Sequence, residues 1–216
     1  MLLSEHQQDA LKELINIAFG RAASSLSELI DKQVLLFVPE VSLHSISALS
    51  SELNQFIPSE IATINQNFQG AISGNAMLLM NYDSAIALAN MLTGNQGGLG
   101  EDFSVSAYEI LTEIGNILLN SCLGIFSNLL QIPLFFTVPV LRLEKLDAMI
   151  KSLLLEQNQL RYALVLKTSL QVVNSEVSCY LIIVSGVTSL HSLIVAIEKW
   201  AELSLIYTLE YGHNHN

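Results

Sequence analysis

A segment of this chain occurs twice, 100 residues apart, and that duplication constrains the fold more than any single motif does. Glu13, Asn16 and Pro39 return as Glu113, Asn116 and Pro139 (113−13, 116−16 and 139−39 each give 100). Ile17/Ile117, Ser27/Ser127, Leu29/Leu129 and Val38/Val138 hold the same register without a gap. In a chain of 216 residues this predicts one domain built from two repeats, about 1–94 and 101–205, followed by a tail over 206–216. The Gly-rich stretch Gly94–Gly100 joins the halves and reads as a flexible linker; it lacks the Lys-Ser/Thr pair of a phosphate-binding loop.

Each copy opens on an amphipathic helical pattern. Asp9, Glu13, Asn16 and Gly20 are spaced i, i+4, i+7, i+11 and line one face. Leu11, Leu14, Ile15, Ala18, Ala22, Leu26 and Leu29 line the other. The second copy repeats the layout, with Glu109, Glu113, Asn116 and Asn120 outward and Leu111, Ile114, Leu118, Cys122, Ile125 and Leu129 inward. An outward Glu and Asn on one helix are ordinarily solvated surface. Here the outward pair persists while buried positions have been exchanged, Ala18 for Leu118 and Leu26 for Phe126. Asn is also a poor mid-helix residue, because its side chain competes for the backbone. Something other than helix stability keeps it. Gly20 costs about 1 kcal/mol against Ala and offers clearance for a partner's backbone.

These residues resemble the signature of the CheC-type chemotaxis phosphatases, the group that includes CheX and FliY. The signature reads Asp or Ser, three residues, Glu, two residues, Asn, twenty-two residues, Pro. Asp9, Glu13, Asn16 and Pro39 match every position; Glu113, Asn116 and Pro139 match again, with Glu109 in the place of Asp or Ser. The Gly-rich continuation of the family is only partly present after Asn16. The resemblance implies an α/β (α+β) fold of pseudo-twofold helix–three strands–helix units that share a mainly antiparallel sheet and display two long helices. It implies a phosphatase for the phospho-aspartyl form of a CheY-type response regulator. Asn16 and Asn116 would orient water, and Glu13 and Glu113 would pair with the receiver's Lys. Asp9, Glu109, Gly20, Asn120, Pro39 and Pro139 would support them. No cofactor of its own is implied, Mg²⁺ being expected on the receiver. Members of the group also bind CheD, a deamidase, for which the helix 189–203 is the candidate surface. The alternative is a non-enzymatic module that holds a receiver or a CheD-like partner.

Composition narrows the field further. A net charge of −11 argues against nucleic acid. No Lys or Arg occurs between Lys32 and Arg142, so the second helix carries only Glu101, Asp102, Glu109 and Glu113 as charges, whereas Lys12 and Arg21 stand beside the carboxylates of the first. No uninterrupted apolar run reaches the ~18–20 residues of a membrane span. No signal-peptide pattern precedes Ser4 and Glu5, so a cytoplasmic location is expected. Cys122 and Cys179 read as buried free thiols, and His213 and His215 in the tail are weak grounds for a metal site. No Ser-His-Asp set, metal triad or Cys–His pair is legible.

The remaining pattern is read coarsely. Ser4, with Gln7 in capping-box register, starts a helix that runs to about Asp31. Val34–Pro39 is a strand and Ser42–Gln55 a polar surface loop. Glu60–Ile72 and Asn75–Met80 are strands, and Asp83 caps a helix ending at Gly94. Ser104 or Ser106 starts the second long helix; in the latter case Ser106 and Glu109 form a capping box, a purely structural role for Glu109. Pro133–Leu143 is a strand, and Asp147–Glu156 a short helix or an extended loop. Gln159–Val172 and Glu176–Val187 are strands, and Ser189–Leu203 is a closing helix with Trp200 inward.

Overall fold

The computed structural model of the chain describes residues 3–57, 59–93, 103–129, 131, 133–155, 161–172 and 175–211. The first half holds α1 (Glu5–Ile30), β1 (Val34–Ser45), α2 (Ile46–Leu53), β2 (Glu60–Gly70), β3 (Gly74–Asn81) and α3 (Tyr82–Thr93). The second holds α4 (Val105–Leu129), β4 (Leu134–Phe136), β5 (Val140–Lys145), α5 (Leu146–Leu155), β6 (Arg161–Val172), β7 (Ser175–Gly186) and α6 (Val187–Tyr211). The order repeats; α2 is a short helix that the periodicity does not predict, and α5 answers to the stretch read as a short helix or an extended loop. The linker 94–100 and the His pair of the tail lie outside the described residues, whereas residues 206–211 continue α6. Nothing in 187–211 breaks a helix: the first Gly or Pro after Gly186 is Gly212.

All described strands belong to one antiparallel sheet of order β1-β6-β7-β3-β2-β4, with β5 pairing β2 along the same edge as β4. The halves interleave: β1 pairs β6 of the second half, and β4 and β5 pair β2 of the first. The central strands β3 and β7 bury both faces. Ala76, Leu78, Met80, Leu181 and Ile183 face one core, while Met77, Leu79, Tyr180, Ile182 and Val184 face the other. That is why they read as unbroken apolar runs. Helices α6, α1, α4 and α3 lie side by side on the first face, and α2 and α5 cover the second. The long helices are therefore displayed by one stripe only, their other sides being core.

Local chemistry sets the boundaries. Ser4 and Gln7 form a reciprocal capping box at the start of α1, and Asp31 closes it in the left-handed conformation. Gln7 also donates to Glu198 on α6 at 2.7 Å. The segment expected as the loop Ser42–Gln55 instead finishes β1 and forms α2. Its Ser-rich composition hides Ile46, Leu49 and Leu53, which point inward at i, i+3, i+7 and are at most 5% exposed. Asp147 opens α5, which settles the helix-or-loop alternative in favour of helix. Asn81, rather than Asp83, caps α3 through a 2.6 Å bond to the Ser84 amide. Ser104 caps α4 by accepting from Ala107 N at 3.1 Å, so Glu109 is not spent on a capping box. Helix α4 is long and apolar enough to cross a membrane by length and composition, but half of that stretch is buried within the fold.

The signature prolines mark the same irregularity in both halves. Register slips by one residue between Phe37 and Glu40 on β1, and strand pairing breaks between Phe136 and Val140. The expected strand Val34–Pro39 thus runs on through Pro39 to Ser45, while Pro133–Leu143 is split into β4 and β5. Proline has no ladder N–H to lose, and both breaks fall on the edges of the sheet, where a strand tolerates it. The side chain of Pro39 is outside the described residues; Pro139 is buried.

Cys122 and Cys179 are both buried in the helix-side core. Burial pushes both thiols up, Cys179 to about 12. The unfolded thiols titrate near ~8.5, so above that pH the unfolded chain binds fewer protons than the folded one. Stability then falls as pH rises, by roughly 1.4 kcal/mol per pH unit for each thiol. The expected result is a urea midpoint that declines above pH 9, with a shallower decline in Cys122→Ala. An unchanged slope in that variant would remove the thiol as the cause.

Candidate functional site

Helix α1 presents Asp9, Glu13, Asn16 and Gly20 on its exposed stripe, as the spacing predicts. A Cβ built on Gly20 meets nothing within 4 Å, so the clearance there is open to an incoming partner. Asn16 takes part in none of the described side-chain hydrogen bonds. Lys12 is half-buried and Arg21 exposed beside this stripe.

Helix α4 differs. Glu109 and Glu113 are exposed, but Asn116 and Asn120 are half-buried. They line an open groove of about 440 Å³ together with Gln66, Thr112, Glu113, Phe136, Thr137, Val138 and Pro139. Among the described residues no basic one lines it. Its floor is the break in the edge strand: Thr137 N donates to Asn67 O at 3.0 Å, and Asn67 N donates to Thr137 Oγ1 at 3.0 Å. Val138 stands 81% exposed at the rim, whereas its counterpart Val38 is 7% exposed.

Packing explains how α4 comes so close to the sheet. A Cβ on Gly115 would lie 2.4 Å from Ile64 Cγ2 and 2.9 Å from Ile64 Cβ. The absent side chain lets the helix sit directly on β2, while Tyr108 Oη anchors its first turn to Leu141 O on β5 at 3.0 Å. Because Ile64 is β-branched and buried, it cannot rotate away. Gly115→Ala is therefore expected to lower stability by about 1–3 kcal/mol, despite the better helix propensity of Ala, as read from urea unfolding. A gain in stability would show that the approach is loose.

That approach brings an amide chain together. Gln66, 1% exposed on β2, donates from Nε2 to Thr137 O and to Asn120 Oδ1, both at 2.8 Å. Asn120 Nδ2 donates to Asn116 Oδ1 at 2.6 Å. Asn120 thus folds back onto Asn116 and does not obstruct the groove. Gln66 escaped the motif reading. Its only sequence signal is three consecutive amides, Asn65-Gln66-Asn67, between the apolar Ile64 and Phe68 of the strand.

Known proteins similar to this chain point in one direction. Residues 7–43, which contain the first copy of the signature, match the model of the CheC-like family. The chain is 29% identical over 203 residues to the CheY-P phosphatase CheC of Bacillus subtilis (strain 168), covering 90% of this chain and 95% of that one. It is 27% identical over 135 residues to the flagellar motor switch phosphatase FliY of the same organism, covering 60% of this chain and 35% of that protein. In structure it resembles Thermotoga maritima FliY with a TM-score of 0.74 at 18% identity, over 93% of this chain and all of that one (100%), a likeness of fold. Signature, duplication, chain-long similarity and architecture agree, and each makes the chain similar to the CheC-like family.

Proposed function

We propose that the chain is a phosphatase for the phospho-aspartyl form of a CheY-type response regulator, with its two repeats acting as one unit. The observation that carries this reading is a carboxylate and an amide one helical turn apart, displayed twice, and in the second copy set in an open groove that no cation lines. Such a groove does not hold a free phosphate ester, because nothing in it neutralises the charge. It suits a substrate that brings its own cations, as a receiver does with Mg²⁺ and its active-site Lys.

In this reading Glu13 or Glu113 pairs with the receiver's Lys and seats the helix. The adjacent Asn16 or Asn116 enters beside the phosphorus and orients a water for in-line attack. The acyl phosphate bond breaks, releasing inorganic phosphate and the receiver carboxylate. The contribution is positioning, comparable to the Gln that orients water in small GTPases. An amide does not titrate in the working range, so the chain supplies no general base. The reading is supported by the names of the two Bacillus subtilis relatives, both called phosphatases. The test is the decay of phosphorylated Bacillus subtilis CheY with and without the purified chain. Unchanged decay at equimolar protein counts against it.

One observation favours an additional binding role. Helix α6 exposes Val195 and Leu203 beside a groove of about 600 Å³ that also takes in His191, Lys199 and Trp200. A CheD-like deamidase is the proposed occupant of this surface. Loss of its binding in Val195→Asp, with CheY-P decay unaffected, is the expected pattern.

A further inference from the structure

The two sites are chemically unequal. Leu36 faces Leu170 and Val41 faces Leu166, just as Phe136 faces Phe68 and Leu141 faces Ile64. By this register, Thr168 stands in the first site where Gln66 stands in the second (170−68 and 166−64 both give 102), and Gly20 stands where Asn120 does. The first site therefore has neither amide of the chain that reaches Asn116.

The direction of that chain follows from a single backbone atom. The Thr137 carbonyl only accepts, so the NH₂ of Gln66 must face it, and the other proton of that NH₂ goes to Asn120 Oδ1. The Asn120 NH₂ must then point to Asn116 Oδ1. Asn116 Nδ2 makes none of the described hydrogen bonds and is the end of the chain, in the groove. Turning any one amide over would set two acceptors or two donors against each other. Gln66 Oε1 is buried with no partner. A buried acceptor left unpaired costs stability, and an apolar side chain at this position would not carry that cost. Retention of Gln66 is explained by what its NH₂ does.

We propose that Gln66 and Asn120 are positioning residues of the second site: they fix the rotamer and polarity of Asn116 so that its NH₂ faces the receiver's phosphoryl group before docking. This rests on the phosphatase reading above. The second site is thus preorganised, and the first must order Asn16 on binding.

The experiment places all variants in an Asn16→Ala background, so that only the second site reports, with Bacillus subtilis CheY phosphorylated from acetyl phosphate as substrate. Asn116→Ala is expected to lose at least about a hundredfold in kcat, and Asn120→Ala and Gln66→Met about tenfold, with KM within about twofold. Asn120→Asp keeps the shape and still accepts from Gln66 but cannot donate onward, so its kcat is expected to fall with that of Asn120→Ala. Full kcat in both Asn120 variants, with Asn116→Ala inactive, overturns the inference and leaves the phosphatase reading standing. Undiminished Asn116→Ala overturns that reading and the inference with it. A second measurement needs no receiver. By NMR, the Gln66 side-chain NH₂ should exchange slowly with solvent and the Asn116 NH₂ rapidly, and the reverse order overturns the assigned polarity.

Discussion

The double variant Asn16→Ala/Asn116→Ala is expected to fold as the parent chain does and to lose receiver dephosphorylation by about 10²–10³-fold, the scale of losing a positioned group at a reacting centre. Asn16 is exposed, so its loss should change stability by no more than about 0.5 kcal/mol, whereas Asn116 accepts from Asn120, and losing that bond should cost about 0.5–1.5 kcal/mol, offset in part by the better helix propensity of Ala. Each single variant leaves the other site intact and should be milder. Thermal melts and phosphate decay on the same samples separate the two properties. Full activity in the double variant excludes the proposed chemistry, and collapse of its fold would make the asparagines structural.

Charge reversal is expected to give the next largest effect. Glu113→Lys replaces a carboxylate with a cation at the rim of a groove that no basic residue lines, and sets it against the receiver's Lys. Glu13→Lys does the same where Lys12 and Arg21 already offset the local field. Exposed charges act over about 8–10 Å at ordinary ionic strength. Association at the second site should therefore be steered more strongly and be more sensitive to salt. The expected loss is about tenfold or more for Glu113→Lys at low salt, shrinking as salt is added, and smaller and flatter for Glu13→Lys. Equal losses with equal salt slopes would remove the inequality. No loss from either would remove both glutamates from the mechanism.

The parts of this molecule legible in the sequence were those written locally. Ser4 and Gln7 announce the start of α1, and the 3.6-residue stripe fixes which way Glu13 and Asn16 point. The duplicated signature carried those roles onto α4. What stayed hidden depends on contacts far apart in the chain. Helix α2 was masked because three inward residues sit among serines whose local preference is for turns. The exchange of β1 and β5 between the halves has no local signal, since a strand pattern does not name its partner. Gln66 became part of the site only because Gly115 lets α4 settle on β2, a contact across some fifty positions. Helix geometry alone makes Asn120 one more outward residue; its rotamer is set by Gln66 and Asn116, which the geometry of an isolated helix does not include.

The crossed placement of the first strands also governs how the chain is made. Strand β1 begins at Val34, and its ladder partner there is Val172, 138 residues later (172−34). At about 5–20 residues per second on a ribosome, β1 waits roughly 7–28 s for the strand that completes it. Leu35 and Phe37, still 41% and 47% exposed when folding is finished, have no shelter in that interval. The first half is thus an aggregation-prone nascent segment that its own hairpin cannot protect. Pairing so distant in sequence also places the chain among slow folders. The duplication that displays the Glu–Asn pair twice obliges the chain to complete both halves before either has a finished sheet.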